Sequence, residues 1–268
     1  MQNGTSFLKA IGVLLILAIT LTSCTNSSQN KARTTYQKSP VDILIRDMAT
    51  ERNFTILLLD MDFKEAEKKY FHKYQIINEV GDSIRSKETP WKQVNDIFFD
   101  ANVNNMGMEL ASKKDGKLSK IAAPPGYSNY VGNKQYGQWK ERDGSRFWEF
   151  YGKYAFMSSM FRMAMFPVRY SYWNDYNRNY YGRGRSYYGP MSNRGNMYGT
   201  NSSYTKSNTS SSWNKKPATF KSRVRSSVSR SATATKTRRA RSTATRQSRN
   251  SSRYSRSNTR SRSGGFGK

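Results

Sequence analysis

Cysteine and histidine are almost missing from this chain, which carries one of each, Cys24 and His72. A lone cysteine excludes an intrachain disulfide framework. A lone histidine, with no cluster of Cys or carboxylates at ligand spacing, argues against a zinc site or a nucleophile–base pair. No Gly-x-Ser-x-Gly elbow, Walker loop or dinucleotide fingerprint occurs either. The expectation is therefore no enzyme, no cofactor, no metal and no catalytic residue. No apolar run reaches the ~20 residues that carry a helix across a bilayer. The third shortage is of acid. There are 18 Asp and Glu against 46 Lys and Arg, a net charge of +28, and not one acidic residue follows Asp175.

The N-terminus explains the single cysteine. Lys9 precedes a short apolar run, Ile11 to Leu21, and the run ends in Leu21-Thr22-Ser23-Cys24. That ending resembles the lipobox of bacterial envelope lipoproteins: an aliphatic residue, two small ones, then the cysteine that receives lipid. The resemblance covers the signal and Cys24 only. It implies a signal peptide over residues 1–23 and acylation at Cys24, palmitate among the acyl chains. It also implies export to the cell envelope and anchoring to a membrane, the outer one in a Gram-negative cell. Residues 24–38 are polar and without period, and read as a flexible tether.

Residues 39–166 hold most of the Leu, Ile, Val and Phe and are long enough for one core. Ser39-Pro40 reads as a helix start, with a hydroxyl at N-cap and proline at N1. Phe54 to Asp62 is nearly continuous apolar, the pattern of a strand covered on both faces. Tyr70 to Val80 follows as a second strand. Thr89-Pro90 predicts a helix with Trp91, Val94, Ile97, Phe98 and Ala101 on its inner face. Asp115-Gly116 and Asp143-Gly144 predict hairpins, the second bringing Trp139 near Phe147 or Trp148. Residues 150–166 read as a last helix, packing on the core or lying at a membrane interface. The fold class expected is α+β: a small single domain of helix, two strands, helix, β-hairpins and C-terminal helix.

A long disordered basic tail is expected to follow, because few aliphatics and high charge cannot offset the entropy of ordering. It divides into a Tyr/Gly/Asn-rich linker, residues 167–204, and an Arg/Ser-rich segment, residues 205–268. Its polyanion-binding candidates are Arg223, Arg225, Arg230, Arg238, Arg239, Arg241, Arg246, Arg249, Arg253, Arg256, Arg260 and Arg262. Guanidinium groups neutralise phosphates through many weak, salt-sensitive contacts. For an exported chain the available polyanions are envelope glycans, lipid headgroups and extracellular DNA. The role expected is structural or interaction-based. Extracellular nucleic-acid binding is one alternative, and a solvated spacer is the bland one.

Two features of the domain leave an enzyme open as a further alternative. Asp60 and Asp62 sit two apart, so in a strand they share a face, and with Glu65 they are placed to hold a cation or to exchange a proton. The Tyr127–Tyr136 loop would border that site. His72 reads as a partly exposed strand residue. Asp82-Ser83-Ile84 resembles a short bacterial O-glycosylation sequon.

Overall fold

A computed structural model describes residues 38–81, 83–193 and 195–254, with backbone only for 238–254. The fold is α+β, as its sequence predicts. Helix α1 (Pro40–Asp47) begins at Ser39, whose hydroxyl accepts the Asp42 amide at 3.1 Å. Strands β1 (Phe54–Lys64) and β2 (Lys69–Val80) form the centre of an antiparallel sheet. Strand β3 (Ser83–Glu88) and the short β4 (Lys92–Val94) both pair with β2, and helix α2 (Asp96–Asn102) follows. On the other side of β1 lie β5 (Glu109–Lys114) and β6 (Lys117–Ser119), giving the order β3-β2-β1-β5-β6.

β1 is nearly continuously apolar from Phe54 to Leu59 because both its faces are covered there. Phe54, Ile56, Leu58 and Met61 pack with Val41 of α1 and with Phe99 and Val103 at α2. Leu57 faces the other way, into a cluster built largely of tyrosines. This second layer rests on the hairpin β7 (Gly137–Arg142) and β8 (Ser145–Phe150). Its turn residues Asp143 and Gly144 have φ of +52° and +69°, as a type I′ turn requires. Trp139 stands directly opposite Trp148, their ring centroids 5.1 Å apart.

The helix expected after Thr89-Pro90 starts later. Residues 92–94 pair with β2 instead, Asn95 caps α2, and the buried face is Phe99 and Val103. Trp91 is 40 % exposed, so it does not anchor a core. The single helix expected over 150–166 is broken. β8 runs to Phe150, a 3-10 turn covers Gly152–Tyr154, and helix α3 is only Phe156–Met160. Arg162 ends it at φ +50°, where its guanidinium donates to Tyr204 O and Ser207 Oγ, each at 3.1 Å.

The largest correction concerns the end of the fold. Order does not stop at Pro167 or give way to a disordered linker. Helices α4 (Tyr170–Asn179), α5 (Ser203–Lys206) and α6 (Ser212–Lys215) pack into the domain, with a small ribbon of β9 (Met191–Ser192) and β10 (Gly195–Asn196) between them. Tyr176, Tyr187, Tyr198, Tyr204 and Trp213 are all buried. A segment poor in aliphatics is thus ordered by aromatics, each of which buries about 150–250 Å². Helix α7 (Ala218–Tyr254) then runs through most of the segment expected to be disordered.

Candidate polyanion interface

Helix α7 is 37 residues long, about 55 Å at 1.5 Å per residue. Pro217 starts it, its carbonyl accepting the Lys221 amide at 3.1 Å. Neither Gly nor Pro interrupts the chain from Ala218 to Tyr254, but Ser and Thr are frequent. Such a sequence is a marginal helix alone, so packing of one face must supply the stability. Val224, Val228 and Ala232, at steps of four, are that face, and the first two join the core cluster of α2.

Polar ties hold the same half. Arg223 pairs with Glu65 at 3.0 and 3.3 Å. Arg225 donates to Asn104 Oδ1 at 2.8 Å and to Val103 O at 3.3 Å, meeting the carbonyl end of α2. Partial burial holds its guanidinium pKa below the usual arginine value. Ser231 donates to Asp96. A cleft of about 580 Å³ lies at this junction, bordered by Lys68, Tyr70, Asn95, Arg223 and Ser227.

Two of the expected polyanion contacts, Arg223 and Arg225, are therefore docking residues. Arg230 is exposed, as is Lys236, and neither has a carboxylate partner among the described residues. Arg238, Arg239, Arg241, Arg246, Arg249 and Arg253 lie on helical backbone, which fixes their spacing. Ala232, Arg239, Arg246 and Arg253 recur every seven residues, a drift of only ~20° per step. The register position that docks the helix at Ala232 thus carries arginine further along. Cys24, Asp82, Arg256, Arg260 and Arg262 lie outside the described residues.

The carboxylates read as a possible site are engaged in packing. Asp60 accepts the Ser211 hydroxyl at 2.7 Å, the Ser212 amide at 2.6 Å and the Trp213 amide at 3.3 Å, so it caps α6. A register shift after Leu58 places it there. Asp62 pairs with Lys216 at 3.3 Å and Glu65 with Arg223. The structure therefore does not bring the three together at one site. His72, expected to be partly exposed, is fully buried beside Phe98 and Phe99, with Nδ1 3.2 Å from the Tyr74 hydroxyl. Burial drives its pKa down to about 3.

The chain matches no family model, no curated protein and no solved structure. Function has to be argued from its own residues.

One such residue escaped sequence reasoning. Glu109, in the predicted β5 hairpin, is 1 % exposed, and its Oε1 accepts the Gly126 amide at 2.7 Å. Residues 122–131 are buried throughout and cover this side of the sheet. Asn129 fastens the loop, donating to Phe54 O, Thr55 Oγ1 and Lys113 O at 2.9–3.1 Å. Burial raises the Glu109 pKa to about 8, against hydrogen bonds from Ser128 and Gly126 that lower it. Tyr130 and Tyr176 are pushed above the usual tyrosine value by the same burial and by Glu109 itself. The only sequence signal was an acidic residue inside an apolar strand pattern.

Proposed function

We propose that this protein is an envelope lipoprotein, acylated at Cys24, whose basic helix α7 binds anionic polymers of the envelope, glycans or lipid headgroups. The observation that carries the reading is α7 itself: eleven Lys and Arg and no acidic residue between Ala218 and Tyr254. Like charges three or four apart destabilise a helix by ~0.2–0.5 kcal/mol per pair. Arg238 and Arg241, Arg246 and Arg249, and Arg249 and Arg253 all have that spacing. A solubilising spacer has no use for such a one-signed run, whereas an anionic partner relieves it.

Acyl chains contribute ~0.8 kcal/mol per buried CH₂ and anchor the protein without the helix. This leaves α7 free to engage a second surface or polymer. A second reading is extracellular duplex DNA, favoured by a continuous basic helix of a diameter that a major groove admits.

The test uses the full chain, with Arg230, Arg238, Arg239, Arg241, Arg246, Arg249 and Arg253 changed to Gln and the docking pair Arg223 and Arg225 kept. The wild type is expected to bind anionic glycan with affinity that falls steeply with salt, as the variant does not. Six phosphate contacts on duplex DNA lose ~10³ between 50 and 200 mM salt. Equal binding by wild type and variant would refute the helix as the site. Competition between DNA and purified envelope glycan separates the two readings. The anchor has its own test: Cys24→Ala should abolish incorporation of a fatty-acid analogue, and undiminished label would sink the lipobox assignment.

A further inference from the structure

The β7–β8 tip and the start of α4 enclose a cleft of about 300 Å³, lined by Glu141, Ser145, Arg146, Arg169, Tyr170 and Ser171. Two strands and a helix supply these residues, so their spacing is set by the fold. Phe147 forms a lone β-bridge with Arg169, and the Trp148 amide donates to Val168 O at 3.0 Å. These contacts fix the entry to α4 against β8.

The arginines are held by aromatic rings. Arg146 lies over Tyr170 at 3.7 Å, and Tyr170 is itself braced edge-on by Trp139 at 5.1 Å. Arg169 lies 5.5 Å from the Phe147 ring and 5.9 Å from that of Tyr172, and Arg142 lies 5.0 Å from Phe147. Among the described residues neither the Arg146 nor the Arg169 guanidinium has an ion-pair or hydrogen-bond partner. Glu141 stands directly opposite Arg146 in register and does not pair with it. Lys140 on the same hairpin does pair with its neighbour, Glu149, at 2.9 Å. The cleft thus presents two positioned guanidinium groups with their N–H edges unspent, beside an unused carboxylate and two hydroxyls.

Guanidinium groups at such edges match phosphate or carboxylate oxygens, bidentately where the plane permits. The rings bordering the cleft already carry guanidinium groups, which leaves poor footing for a stacked nucleobase. Glu141, Ser145 and Ser171 suit hydroxyl groups. The volume is at the small end for ligand sites, enough for a single ring. We infer that this cleft binds one anionic sugar unit, a sugar phosphate or a uronate, with Arg146 and Arg169 on the anionic group and Glu141 accepting from a ring hydroxyl. No residue of α7 takes part, so the site stands or falls apart from the polyanion reading.

Calorimetric titration of the full chain in detergent tests it, with glucose 6-phosphate, glucuronate, glucose, inorganic phosphate and AMP as probes. Glucose 6-phosphate or glucuronate should bind, and whichever binds more tightly tells phosphate from carboxylate. The double variant Arg146→Gln/Arg169→Gln should weaken that binding by about 150-fold, as expected for two charge-assisted contacts, with an unchanged thermal melt. Glu141→Gln should narrow the preference for the sugar acid over inorganic phosphate. The α7 glutamine variant should bind as the wild type does. The inference is overturned if neither sugar acid binds, if inorganic phosphate or AMP binds as tightly, or if the arginine variant binds unchanged.

Discussion

Trp213→Ala is expected to cost the domain ~3–5 kcal/mol, enough to lower its melting temperature by roughly 10 °C or more. Trp213 is 1 % exposed and meets Phe99 edge to face at 6.0 Å, in the cluster that also holds Phe54, Ile56 and Leu58. It is the largest side chain buried so completely, and it lies well beyond the point where aliphatic residues thin out. Asp60→Ala should act on the same feature by leaving the Ser212 and Trp213 amides without their acceptor. Because the two residues share one contact network, their effects should fall short of additive when combined. Urea or thermal denaturation of the full chain measures all three variants. A melt indifferent to Trp213→Ala would mean that residues 167–237 do not belong to the core.

Glu109→Gln is expected to do the opposite in alkali and stabilise the protein. The folded carboxyl titrates at about 8 against an ordinary value of 4.5, because burial disfavours its charge. The folded state therefore holds a proton that the unfolded chain releases between those limits. The associated stability is complete below about pH 4.5 and is lost as pH climbs toward 8, on the order of 4–5 kcal/mol in all. Glutamine keeps the acceptor for the Gly126 amide and has no charge to bury. The variant should match the wild type near pH 5 and be clearly more stable at pH 9. His72 acts with the reverse sign: its folded pKa of about 3 means that stability is lost as pH falls below 6.5. Denaturation midpoints across pH 4–9 test the pair of slopes. Parallel curves for wild type and Glu109→Gln would show that Glu109 is ionised in the fold.

Elements specified by their own few residues could be read from the sequence. Ser39-Pro40, the double-faced strand after Phe54 and the Asp143-Gly144 turn each satisfy a local requirement, and each is found. Trp91 misled because a helical stripe was continued across residues 92–94, which tertiary pairing with Tyr70–His72 holds extended. The tyrosine-rich segment misled more deeply. Composition counts aliphatics, whereas Tyr127, Tyr176, Tyr187 and Tyr198 bury one another as a cluster with no sequence period. For the candidate sites, a run of arginines announces positive charge but not its division between docking and display. That division depends on Glu65 and Asn104, more than a hundred residues earlier. Arg146 and Arg169 were unremarkable in sequence because only the hairpin and the bridge to Phe147 bring them together.

The contact between Ser211 and Asp60 spans 151 residues, and those of Thr200 with Val103 and of Thr205 with Met106 span nearly a hundred. Residues late in the chain thus close a sheet whose strands lie early in it, which is a slow topology for a chain to reach. At ~5–20 residues per second, a ribosome needs about 8–30 s to pass from Asp60 to Ser211. During that interval Phe54 to Leu58 are synthesised while the tryptophan and valines that cover them in the fold are not. A product truncated before residue 213 is therefore expected to leave that apolar strand uncovered and to aggregate, which sedimentation of the truncated protein would check.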